Sequence, residues 1–598
     1  MKTLIATLKL FNAIRVIDKD SRLSSNMTTT IPYGFVVTED IRRLADRISA
    51  NETLLTDIKS YYLSTKKANR AFHKSWQTIK NTPQEELWLQ AIVHYFTTYG
   101  YEALGIGGEI YIPREKLDLS FDINLIKVVG LTDQELIEKI INLSNGVALA
   151  EDTLEALVVI IEDFKYKIDI DKIKNRELKS ALYDLYDIVP QEPVEYLRFV
   201  VSRITGETLL IKSKRFIEKI RESNSQIQRR EVNRLIDNAP INLAEIFFRY
   251  KPIFLALKSI SSNKSFFNRL RKQADLMHKP LPEDYLNSVT SKIKRGDSLE
   301  DLESKLETAS IFRKIRLANA LKFRLVNPQS IVYKIRNGRS WVDDFVAKNP
   351  NRTKLALDVV LKSMKINKTI YVPEYIDYGL PATEKQFIGN IPANTKISVD
   401  DNLIIGIYWE NVNDYRIDLD FSSVGLEGKV GWDANYKSSG KEVLFSGDMT
   451  NAKNGASELM YFGENNLEAY SLFLNYYNFN KDIPVPSKIF VAHEKPINFN
   501  KNYVANNIIV QSEFMVKEKQ LFIGVVYGNS LYLSSSAIGE SITSGGKLAH
   551  KVRQYLFTSA TSSLRLSDVL NVVNEEGDYP NLSPEKLDKN TIIELLVN

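Results

Sequence analysis

Arg416-Ile417-Asp418-Leu419-Asp420-Phe421-Ser422-Ser423 decides the reading of this chain. Apolar Ile417, Leu419 and Phe421 alternate with Arg416, Asp418 and Asp420. Successive side chains of a strand point to opposite faces. The pattern therefore predicts a strand with one face in a core and a pair of carboxylates on the other. Like charges two residues apart repel, and a hard cation between them relieves the repulsion. Downstream, Ser446-Gly447-Asp448 on a loop and Glu458 can bring further oxygens to the same place. Scattered acids on a solvated sandwich face would show the same spacing, so both readings stay open.

Around this stretch the sequence resembles a family. Trp409-Glu410, Asp418-Leu419-Asp420-Phe421-Ser422, Val443-Leu444-Phe445-Ser446-Gly447-Asp448 and Glu458 look like the core pattern of TerD-type domains. These are the calcium-binding β-sandwich modules of tellurite-resistance and stress proteins. The match covers residues 385–535. It implies a sandwich with Ca2+ on Asp418, Asp420, Asp448 and Glu458, and Glu410 as a fifth candidate. The family's Gly-x-Gly-Trp-Asp becomes Gly406-Ile407-Tyr408-Trp409-Glu410 here. Its acidic glycine-rich loop becomes Asn451-Ala452-Lys453-Asn454-Gly455-Ala456-Ser457-Glu458. Fewer carboxylates and an added lysine imply weak binding.

A chain of 598 residues is too long for one core and predicts roughly two to four domains. It holds no cysteine, which excludes disulfides, thiol catalysis and thiolate-ligated metals. The 5 histidines (73, 94, 278, 493 and 550) form no close pair, so a histidine triad or metal site is not expected. The N-terminus does not read as a signal peptide, and there is no apolar run of about 18 residues. A cytoplasmic protein without membrane contact is expected.

The overall charge of +5 hides an asymmetry. Residues 205–368 carry 34 lysines and arginines against 17 aspartates and glutamates, so the remainder is acidic.

Residues 1–35 read as irregular with β-like pieces. Helical periodicity then predicts an all-α, solenoid-like repeat region over 36–366, without a strict period. Thr132-Asp133-Gln134-Glu135 is a capping box. Further helices read over 152–161, 176–187, 192–204, 243–258, 265–277, 282–294, 311–325 and 352–365. Gly105-Ile106-Gly107-Gly108 has no following lysine and reads as a turn, not a phosphate loop. Pro373, Gly379, Pro381, Gly389 and Pro392 mark 367–395 as a linker. Short alternating runs over 396–535 predict an antiparallel β-sandwich. Residues 536–598 read as a Ser/Gly-rich link and short C-terminal helices.

Within the basic region, Arg313, Arg316 and Arg324 fall on roughly one helical face. Tyr333, Lys334, Arg336, Arg339 and Trp341 then interleave aromatic and basic residues on a turn. Such a surface can neutralise phosphates and stack unpaired bases; a solvated helix face gives the same composition. The segments 250–257, His278-Lys279-Pro280, Arg316-Leu317-Ala318-Asn319-Ala320-Leu321 and Ile335-Arg336-Asn337-Gly338-Arg339 are similar to the RNA-binding helical ring of Ro autoantigen (TROVE) proteins. The von Willebrand A domain that often accompanies that ring has no counterpart here.

The expectation is a non-enzymatic adaptor, with a basic helical array for RNA and a sandwich for calcium or a protein partner. The alternative is a structural or assembly protein, of a phage or a stress complex, that makes only protein contacts. The sequence leaves the oligomeric state open.

Overall fold

A computed structural model describes residues 2–16, 28–31, 35–38 and 126–597, save 211, 238, 281–282, 327–328, 337–338, 414, 427, 441–442, 454, 464–467, 502, 538–546 and 588. The helices expected between residues 39 and 125 and the 105–108 turn lie outside the described residues. The chain divides into two compact units, Met1–Ile137 and Glu138–Asn598.

The first unit opens with a helix, Lys2–Phe11, where irregular chain was expected. Its strands form a sheet in the order Ala13–Arg15, Ile126–Leu131, Phe35–Thr38, Thr28–Ile31. Ile126–Leu131 lies within the segment expected to be all-α, a first departure from that reading. The capping box forms as expected: the Thr132 N–H donates to Glu135 Oε2 at 2.8 Å, and the Glu135 N–H donates to Thr132 Oγ1 at 3.4 Å.

In the second unit a helical region precedes a set of antiparallel sheets. Helices include Glu151–Asp163, Arg176–Leu185, Pro193–Thr205, Lys264–Met277, Tyr285–Arg295, Ile311–Val326 and Pro350–Lys362. Most ends lie within two residues of those read from the sequence, as fraying of helix termini allows, but Tyr285 starts three residues later and Lys362 ends three residues earlier than expected. The 243–258 segment is broken instead, into a 3-10 turn at Ile241–Ile246 and a helix at Lys251–Ile260. Residues 329–346 also depart from helix: Gln329–Arg336 and Arg339–Val346 pair as an antiparallel hairpin.

The sandwich has a seven-stranded sheet in the order Lys429–Gly431, Leu419–Val424, Tyr470–Tyr476, Gln520–Tyr527, Ser530–Ala537, Lys396–Ser398, Ile376–Asp377. A five-stranded sheet runs Val443–Phe445, Ala456–Phe462, Leu403–Trp409, Val485–His493, Ile508–Val516. Ile405, Ile407, Trp409, Met460 and Phe462 of one sheet share a buried cluster with Leu419, Phe421, Leu472 and Leu474 of the other. The helix Lys547–Ser562 covers the seven-stranded sheet from outside, where Val552, Leu556 and Ala560 meet Val424, Phe473, Phe522 and Val525. That cover buries Val424 at the end of Leu419–Val424, a strand with every residue buried.

The expected linker, 367–395, is packed structure. Thr369–Tyr371 pairs in parallel with Asn571–Val573, and Ile376–Asp377 is an edge strand of the larger sheet. Ile370, Tyr378 and Leu380 are buried in a cluster that also takes in Leu286, Ile315 and Leu321 from the helices. Glu384 reaches back to the helix Glu151–Asp163, whose N-cap, Ala150, has no side-chain acceptor. Its carboxylate accepts the Ala150 N–H at 2.5 Å and the Thr153 hydroxyl at 3.0 Å. A remote glutamate thus satisfies donors that the helix start leaves open. One core runs through the segment read as a boundary. A second core, from Tyr183 to Ala274, belongs to the helices alone.

Candidate metal centre

The Leu419–Val424 strand is entered through Arg416, Ile417 and Asp418, and side chains from one strand end and two loops hold that approach. Trp409 Nε1 donates to the Ile417 carbonyl at 3.2 Å. Asn411 Oδ1 accepts the N–H groups of Ile417 at 3.0 Å and Ala452 at 3.3 Å. The Asp418 N–H donates to Asn478 Oδ1 at 3.1 Å, and the Tyr477 N–H donates to the Asp418 carbonyl at 2.9 Å. These bonds hold the Asp418 backbone on both sides, and Arg416 holds its carboxylate.

The Ser446-Gly447-Asp448 motif divides its work residue by residue. Ser446 Oγ accepts the Leu459 N–H at 2.9 Å, and the Ser446 N–H donates to the Leu459 carbonyl at 2.9 Å. These bonds clip the loop to the Ala456–Phe462 strand. Gly447 turns the chain at φ +122°, where L side chains are strained. Asp448 follows, aimed at the strand acids.

Asp418, Asp420 and Asp448 each offer an oxygen, and these atoms lie within 4.8 Å of one another. Asp418 is 4% exposed and Asp420 2%. Arg416 donates to Asp418 Oδ2 at 2.9 Å, and Asn475 Nδ2 donates to Asp420 Oδ2 at 2.8 Å. Asp418 Oδ1 and Asp448 Oδ1 are buried with no hydrogen-bond partner. Buried polar atoms are normally paired, so two orphaned carboxylate oxygens side by side are unusual.

The electrostatics agree with the geometry. Burial pushes the Asp420 carboxyl up to about 7; the Asn475 donor opposes this, and the charges of Asp418, Asp448 and Asp433 add to it. Asp418 is also raised, by burial first, with Arg416 opposing and Asp448 adding. A cation beside such groups would favour their ionised form at neutral pH. Oxygens on opposite sides of a calcium ion at about 2.4 Å stand about 4.8 Å apart, so three oxygens within that distance of one another can share one cation. An all-oxygen donor set without histidine or cysteine selects a hard cation over zinc.

Two of the five expected ligands take other roles. Glu458 is fully buried, and both its oxygens are engaged: Oε2 accepts the Phe421 N–H at 2.6 Å, and Oε1 accepts the Met449 N–H at 2.9 Å. It braces the strand and the loop that carry the aspartates, and burial holds its pKa well above the usual range. Glu410 is exposed and accepts the Tyr408 hydroxyl at 2.6 Å, apart from the cluster. Asn475, Asn411 and Asn478 carried no signal in the sequence, because what they do depends on strand pairing.

Of the expected nucleic-acid residues, Arg313, Arg316 and Arg324 have described side chains, and the rest are described by their strand register alone. Arg313 pairs with Asp284, and Arg316 lies over the Phe312 ring at 5.3 Å. Arg324 is half-buried and donates to the Ala320 carbonyl at 2.6 Å. Lys322 on the same helix pairs with Asp568 at 3.0 Å. The hairpin register sets Lys334 opposite Trp341, Arg336 opposite Arg339 and Tyr333 opposite Val342. Among the described residues, no helix is long and apolar enough to cross a membrane.

No protein-family model and no curated protein matches the chain.

Proposed function

We propose that the chain is a non-enzymatic binding protein whose sandwich holds a calcium ion on Asp418, Asp420 and Asp448. One observation carries the reading: the grouped aspartates include two buried oxygens with no donor. The resemblance of the surrounding motifs to TerD-type domains supports the same assignment. With three carboxylates and one of them already paired to Arg416, affinity belongs in the weak range of about 10⁻⁴ to 10⁻³ M. Calorimetric titration of the full chain with CaCl2 should show one saturable site, and Asp448→Asn should weaken it at least tenfold. A flat titration, or an unchanged variant, would remove calcium from the reading.

A second reading concerns RNA, with the helical region as a solenoid-like array. It is favoured by the exposed cations Arg215, Arg221, Arg229, Arg230, Arg269 and Arg271, which have no acidic partner among the described residues. Phosphate contacts of this kind show in the salt dependence of affinity, with a slope of about −0.7 per contact on single strands. Filter binding of a single-stranded RNA at two salt concentrations should show a steep loss. Changing Arg229 and Arg230 to glutamate should flatten the slope by about 1.4. No retention at either salt leaves the alternative of an assembly protein that makes only protein contacts.

A further inference from the structure

A cavity of about 570 Å³ opens among the helices, lined from Arg176 to Asn287. It stands apart from the calcium cluster and shares no residue with it. Its volume falls in the range of small-molecule sites, roughly 300–1,000 Å³.

The lining carries four cations, Arg176, Lys179, Arg198 and Arg249, and four acids, Glu192, Glu195, Glu283 and Asp284, but they are not paired one to one. Three of the acids accept a hydrogen bond, and the fourth lies near two cations outside the lining. Glu195 accepts from the Tyr183 hydroxyl at 2.6 Å and from Lys179 at 3.0 Å. Glu192 caps its helix by accepting the Glu195 N–H at 2.7 Å. Asp284 accepts the Asn287 N–H at 3.2 Å and pairs with Arg313. Glu283 lies 3.8 Å from Lys292 and 3.8 Å from Arg295.

The arginines are less fully paired. Arg198 is 7% exposed, and its guanidinium donates to a neutral acceptor, the Thr208 carbonyl. Burial and then Arg176 disfavour its charge, while Tyr250, Glu195 and Glu177 favour it without a hydrogen bond to it. Arg176 has no acidic partner among the described residues. Arg249 sits over the Tyr250 ring at 5.8 Å, and its Nε is buried with no hydrogen-bond partner. Burying a guanidinium costs several kcal/mol unless an anion meets it. Guanidinium forks match phosphate oxygens in pairs.

We propose that this cavity binds a small organic phosphate, its phosphoryl oxygens held by Arg176, Arg198 and Arg249. The Tyr250 ring offers an apolar face to the rest of the molecule. The proposal does not depend on the calcium or RNA readings.

The test is calorimetric titration of the full chain with inorganic phosphate, pyrophosphate and ATP, repeated on Arg176→Gln and Arg249→Gln. Arg176 is exposed, so its variant should fold even if the half-buried Arg249 change destabilises the helices. Lys517→Gln, exposed and outside both the cavity and the arginine surface of the RNA reading, serves as the charge control. Saturable binding of pyrophosphate or ATP that weakens at least tenfold in Arg176→Gln and stays within twofold in the control supports the site. Any of three results overturns it: no saturable binding of the three probes, unchanged affinity in Arg176→Gln, or equal weakening in the control.

Discussion

Glu458→Ala should unsettle the whole sandwich and not merely loosen a cation site. The side chain joins two elements of the centre: the Phe421 N–H on the strand and the Met449 N–H on the loop. The Phe421 contact is buried and the Met449 contact half-buried. An orphaned buried N–H costs about 1–3 kcal/mol, so the loss costs about that at Phe421 with a smaller addition at Met449, before any cavity is counted. Part of this is offset, because the variant also removes a carboxylate whose ionisation in the core is unfavourable. The net expectation is a fall in Tm of at least about 5 °C, on the scale of about 2–4 °C per kcal/mol for a domain of this size. Asp448→Asn, measured beside it without calcium, should change Tm far less, because it keeps its shape and sheds a repelling charge. Scanning calorimetry separates the two. A Glu458→Ala protein that melts with the wild type would show that the strand and loop hold together without the brace.

The aspartate cluster was legible because each part of it is local. The two-residue spacing sets Asp418 and Asp420 on one face whatever the partner strand. Ser446-Gly447-Asp448 carries its own clip and turn. The role of Glu458 was not legible, since a ligand and a brace have the same side chain and differ only in which donors reach them. The 367–395 segment was misread because proline and glycine report turns and say nothing of burial. Gly379 shows the difference: a Cβ there would lie 2.1 Å from the Ala393 carbonyl oxygen, so the glycine marks close packing. The helix Lys547–Ser562 falls where short C-terminal helices were expected, and its hydroxyl residues, which favour turns when read alone, hid its length of 16 residues. In place, Thr558, Thr561 and Ser562 turn their hydroxyls back to the carbonyls of Gln554, Phe557 and Thr558, at 3.0, 2.9 and 2.6 Å. Asn337-Gly338 did carry a hairpin signal between Ile331, Val332 and Ile335 on one side and Trp341 and Val342 on the other. Attention to the basic residues obscured it.

Calcium should change the sign of the protein's pH response. Consider first the protein in EDTA. The Asp420 carboxyl titrates near 3.9 in an unfolded chain and is raised to about 7 in the fold. A raised carboxyl binds its proton more tightly when folded, so it favours the fold most strongly below about pH 4. That contribution is lost as pH rises from about 4 through about 7, and it amounts to a few kcal/mol at most. Asp418 moves in the same direction and is coupled to it, so the pair titrates as a unit. Tm in EDTA should therefore fall between about pH 5 and pH 7.5. Calcium competes with the same protons, so its stabilisation should be slight at about pH 5 and grow as the carboxylates ionise. In millimolar CaCl2 the fall should be cancelled or reversed. Asp420→Asn tests the assignment in both media: it should flatten the decline in EDTA and shrink the calcium shift at pH 7.5. Equal Tm values at the two pH values in EDTA, together with a calcium shift that ignores pH, would mean that these aspartates titrate normally and hold no cation.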